Sequence, residues 1–108
     1  MSTTTTVPVT VTPEAAARIA ELGFQAEVDR MIDYARQSLP DVVRVDVVLN
    51  ERYDMGGEPG VAVEAYSDRD HDRARVFWDL ARWATATFPP EVLQHLHFSY
   101  CAGPHHAG

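Results

Sequence analysis

The chain has 108 residues, enough for one domain with one core and too few for two. With 45% hydrophobic and 23% charged residues it is composed as a folded chain, and no apolar run nears the roughly 20 residues of a membrane span. Net charge is −7, and all nine bases are arginines interleaved with acids, which leaves no basic stripe for direct nucleic-acid binding and favours a basic protein partner.

Residues 1–11 are rich in threonine and valine and read as a flexible tail, with a short edge strand as the alternative. The opening MSTTTTVPVTVTP has no basic region leading into an apolar stretch, so a cytoplasmic location is expected rather than secretion. Thr12-Pro13-Glu14 is a helix start: a hydroxyl cap, a proline where no amide hydrogen is needed, and an acid in the first turn. Gly23 should stop this helix, or merely kink a longer one. A second helix over about Gln25 to Ser38 buries Val28, Met31, Ile32 and Ala35, with Leu39 beyond, and Pro40 ends it.

From Val42 the period becomes two. Val43, Val45, Val47 and Leu49 mark the buried face of a strand, and Val61, Val63 and Ala65 mark its hairpin partner across the turn-rich NERYDMGGEPG. A third helix is predicted from about Asp70 to Thr87. Its main apolar stripe is Ala74, Phe77, Trp78, Ala81, Thr85 and Phe88, and Val76, Leu80 and Trp83 form a second line beside it. The first stripe is assigned to the core; the second must be covered either by the N-terminal helices or by a second subunit, and the subunit contact is favoured. After Pro89-Pro90 and one further turn, Leu96, Phe98 and Tyr100 alternate with His97, Ser99 and Cys101 as a last strand. Residues 103–108 read as a flexible tail, leaving 12–102 as the single domain.

The expected fold is therefore α+β, a two-layer sandwich in the order α-α-β-β-α-β. Its sheet is three-stranded and mainly antiparallel, with the helices on one face.

Few residues suggest chemistry. His95, His97 and Cys101, spaced by two and four, are expected on one strand face, and imidazole and thiolate are transition-metal ligands that His105 or His106 could supplement. Polar residues are equally required on any solvent face of a strand. Cys101 cannot form an internal disulfide, and as a nucleophile with His97 as base it would lack an orienting third group. Asp68, Asp70 and Asp72 space like the start of a calcium loop, but Arg73 stands where that loop needs glycine, and Asp79 where it needs glutamate. Asp46 and Glu64 could face one another across the hairpin as an acid pair.

Val9-Thr10-Val11-Thr12-Pro13-Glu14-Ala15-Ala16 through Leu22 resembles the opening of A-type iron–sulfur carrier proteins. Those carriers hold their cluster through three cysteines; Cys101 stands alone here, and the likeness ends at a capped amphipathic helix. The reading that follows is a small acidic, non-catalytic protein-interaction module, self-associating as a homodimer or acting like an antitoxin or immunity protein. A metal-binding protein or metal-dependent enzyme using His95, His97 and Cys101, and a small-ligand-sensing domain, are the alternatives.

Overall fold

A computed structural model describes residues 7–39, 41–50, 59–67 and 73–101. The acidic stretch around Asp68, Asp70 and Asp72, most of the glycine-rich loop, His105 and His106 lie outside the described residues.

The first helix, α1 (Pro13–Leu22), begins as its sequence dictates. Thr12 takes extended backbone angles, and its Oγ1 accepts the Ala15 N–H at 3.2 Å, satisfying a donor that the helix start leaves open. Gly23 ends it in the left-handed region at φ 75°, where a side chain would be strained, and its N–H returns to the Ile19 carbonyl. The glycine is thus a break, and α2 (Gln25–Ser38) is a separate helix with Val28, Met31, Ile32 and Ala35 buried.

Strand β1 (Val9–Val11) lies where a flexible tail was expected. It pairs in parallel with β2 (Val42–Asn50), Val9 opposite Val45, and the pairing is extended at both ends by Val45 N–H to the Pro8 carbonyl and Thr12 N–H to the Val47 carbonyl. β2 pairs antiparallel with β3 (Gly60–Ser67), and β3 pairs in parallel with β4 (Leu96–Cys101). The sheet is therefore four-stranded and mixed, in the order β1-β2-β3-β4, rather than three-stranded and mainly antiparallel. Two causes account for the difference. Three residues are too few to display a period, so the short edge strand weighed as the alternative to a tail is decided only when β2 offers its edge. The crossover through α3 (Arg73–Thr87) and the short α4 (Pro90–Leu93) returns the chain to the end of the sheet where β3 began, which makes β4 parallel to it.

One extra residue in β2 between Val42 and Arg44 forms a bulge, and Val43, expected inside, is 43% exposed beside it. Val45, Val47, Val61, Val63, Ala65, Leu96, Phe98 and Tyr100 form the inner face, joined to buried residues of all four helices in one core. The two-layer α+β arrangement is as expected.

Helix α3 is turned the other way from expectation. Leu80 is only 2% exposed and Ala84 is buried, while Val76 and Trp83 pack against the core. Trp83 stacks on Tyr34 of α2, with centroids 4.1 Å apart and planes at 12°, and meets Phe88 and Phe98 edge-on. The line Val76, Leu80, Trp83, for which a subunit contact was favoured over cover by the N-terminal helices, faces the chain's own core: α3 packs on β4, and Tyr34 of α2 covers Trp83. Of the stripe assigned to the core, Phe77 is 50% exposed and Trp78 63%, whereas Phe88, just beyond the helix, is buried as expected.

Candidate functional site

Among the described residues, surfaces open to chemistry or binding include the helix-free face of the sheet, a cleft beside β1, and the outward side of α3.

On the helix-free face the register aligns Asp46 with Glu64 and Ser99, Arg44 with Tyr66 and Cys101, and Val48 with Ala62 and His97. The acid pair anticipated from sequence is thus brought together as direct cross-strand neighbours. Each carboxylate nevertheless has its own donor. Arg44 Nε donates to Asp46 Oδ2 at 3.3 Å, and the Tyr66 hydroxyl donates to Glu64 Oε1 at 2.9 Å. The Arg44 guanidinium lies 4.0 Å from the centre of the Tyr66 ring, linking the two pairs through a cation–π contact. Burial, and then the bond to Glu64 with its negative charge, push the Tyr66 hydroxyl up to about 12. Arg44, Asp46, Glu64 and Tyr66 thus form one linked polar row across β2 and β3.

Among the described residues the metal reading does not assemble. His95 precedes β4, and its ring lies 6.1 Å from that of Phe24 rather than on the strand face. His97 and Cys101 do share that face, but four residues of strand separate their Cα atoms by about 13 Å. Zinc draws its ligand atoms to about 2.0–2.3 Å from a single centre, which these two cannot do together. The same separation keeps His97 from serving Cys101 as a base. Among the described residues no three His, Cys, Asp or Glu side chains are grouped to hold a metal ion.

The cleft, about 450 Å³, opens between β1, α1 and α2. Val9, Val11, Ile19, Val28 and Ile32 supply apolar walls, and Gln25, Asp29, Asp33 and Arg36 are its polar lining. Its wall at Val11 is 42% exposed, and no polar group in it is buried against the opening as a ligand-orienting contact would be.

The outward side of α3 is the surface that the sequence pattern does not explain as either core or solvent coat. Phe77 and Trp78 meet edge to face at 6.2 Å, and Trp78, Ala81, Arg82, Thr85 and Ala86 line a shallow groove beside them. The sequence pattern did mark Phe77, Trp78, Ala81 and Thr85 as part of one apolar stripe, and placed them on the wrong side of the helix; Arg82 and Ala86 it did not single out. No helix of the described residues is long and apolar enough to cross a membrane, so this apolar side is not part of a membrane span. Comparison with protein-family models, with curated proteins and with solved structures yields no match.

Proposed function

We propose that this chain is a non-catalytic protein-interaction module that docks through the outward side of α3. The observation that carries this reading is the exposure of Trp78 and Phe77 on a helix whose other side is already buried by Leu80, Ala84 and Trp83. A helix that only covers a sheet needs one apolar stripe, and α3 carries two. Two adjacent large aromatics left in water are the residue types that anchor protein interfaces.

Site-specific photo-crosslinking tests the reading. A benzoylphenylalanine placed at Trp78 should give a discrete protein adduct in the native host, whereas the same group at exposed Ala17 on α1 should not. Equal adducts at both positions, or none at Trp78, would remove α3 as the docking surface.

A further inference from the structure

The helices cover one strand of the sheet only in part. α1 and α2 pack on β2 and β3, and α3 packs on β4. β1 lies at the opposite end of the sheet from β4, and among the described residues no strand pairs with its far side. Val9 and Val11 stand opposite Val45 and Val47, which are wholly buried, so they too point to the helix-bearing face. Val11 is nevertheless 42% exposed, because over β1 that face opens into the cleft of about 450 Å³.

The backbone of β1 is open on the same side. The Pro8 carbonyl accepts from the Val45 N–H and the Thr12 N–H donates to the Val47 carbonyl, so residues 8 and 12 turn their backbone groups towards β2. These groups alternate along a strand, and the N–H and C=O of Val9 and Val11 therefore point outward. Thr10 and Val11 are exposed and Val9 is half-buried. Edges are normally blunted by charge, proline or a bulge, and the strand VTV carries none of these. Pro8 does not block the edge, since the donor it lacks would face β2. What limits β1 is its length, which suits it to a short segment.

The flank of α2 above β1 decides what side chain enters. Gln25, Asp29, Asp33 and Arg36 fall on this flank, opposite the one where Tyr34 stacks on Trp83. The two carboxylates outweigh the one guanidinium, and among the described residues Asp33 enters no ion pair. A side chain entering beside β1 thus passes the apolar Val9 and Val11 before it reaches the carboxylates. Arginine and lysine match that order, with an aliphatic stem and a cationic head. The cleft has no buried polar group to orient a small ligand, but the strand edge supplies backbone donors and acceptors that another extended chain can use in series.

We propose that β1 receives an extended segment of a basic partner protein, which adds a strand to the sheet and turns an arginine or lysine inward over Val11 towards Asp29 and Asp33. Charge complementarity selects this occupant. A chain at −7 attracts a basic segment and repels an acidic one. A second copy would bring the uncharged Val9-Thr10-Val11, with valine where a base is required. The surface lies at the other end of the sheet from α3, and is independent of the docking role of that helix.

Titration of the full chain with capped peptides, followed through its backbone amide resonances, tests the proposal. The probe is Thr-Val-Arg-Val-Arg-Val-Thr, whose arginines share one face when extended. Its controls are the same peptide with glutamate for arginine, and one with its central amides N-methylated. The arginine peptide should bind saturably at about 1 mM or below, move the Val9 and Val11 amide resonances and slow their exchange with water. Both controls should bind at least about tenfold more weakly. Asp29→Asn combined with Asp33→Asn, at exposed positions that leave the core intact, should weaken the arginine peptide about three- to tenfold. No saturable binding, equal binding of the arginine peptide and either control, or unchanged affinity in the double variant overturns the proposal. So does binding that leaves the Val9 and Val11 amides unmoved, since the strand edge would then be uninvolved. Protection of these amides that grows with protein concentration alone gives the edge to a second copy and overturns it as well.

Discussion

Trp83 and Trp78 lie five residues apart on α3, and replacing each with alanine separates the two sides of that helix in one experiment. Trp83 joins three elements: it stacks on Tyr34 of α2, and meets Phe98 of β4 and Phe88 beyond its own helix. A buried tryptophan covers about 150–250 Å², and the partly buried Trp83 covers a fraction of that, on the order of 100–150 Å². At about 25 cal/mol per Å² the lost burial costs about 3 kcal/mol. Lost ring contacts and an incompletely collapsed void bring Trp83→Ala to about 3–4 kcal/mol. For a domain whose whole stability is about 5–15 kcal/mol, that is a large share. With a urea dependence of about 2 kcal/mol per molar, the unfolding midpoint should fall by roughly 1.5–2 M. Trp78→Ala removes a side chain that is 63% exposed, and in the monomer should change stability by no more than about 0.5 kcal/mol. Far-UV circular dichroism is the appropriate probe, because both variants alter the fluorescence. A cost below about 1 kcal/mol for Trp83→Ala, or a larger loss from Trp78→Ala than from Trp83→Ala, would refute the orientation of α3.

Two further tests address the sheet. At Gly60 a Cβ would stand 2.9 Å from the His95 carbonyl oxygen, a backbone atom held in the β3–β4 ladder, so Gly60→Ala should destabilise by about 1–3 kcal/mol in chemical denaturation; a neutral result would mean that this strand start is looser than its geometry implies. The Tyr66 hydroxyl is raised from 10.0 to about 12 by burial and by its bond to Glu64, so the folded chain holds that proton more tightly than the unfolded one. Its contribution to stability is full below about pH 10 and is lost as pH rises towards 12. The chain has no lysine to titrate across that window, so a stability profile of Tyr66→Phe should lie flatter than wild type between pH 10 and 12, and parallel profiles would refute the assignment.

The elements were legible wherever a local signal suffices. Thr12-Pro13 and Gly23 bound α1 because capping and left-handed termination depend on a few adjacent residues. The alternation around Val45 and Val63 marks the inner face because side chains on a strand have only two sides to choose from. The same rule allowed Asp46 to face Glu64, although nothing in the order of residues shows that Arg44 donates to the one and Tyr66 to the other. The expected metal face failed for a related reason: alternation assigns a side but not a distance, and His97 and Cys101 share a side too far apart to share an ion.

What tertiary structure alone decided is which way α3 faces and how many strands the sheet has. A helical period fixes the angle between two apolar lines without saying which of them meets the core. Ala74, Phe77 and Trp78 are as periodic as Val76, Leu80 and Trp83. The choice fell to Tyr34, more than forty residues earlier in the chain, which lies where it can stack on Trp83 and leaves Trp78 in water. Val9–Val11 became a strand for the same kind of reason, because β2 presents an edge to it. Local chemistry, then, set where the elements begin and end and which residues share a side. Contacts between residues distant in sequence set which side turns inward, and with it the surface left for a partner.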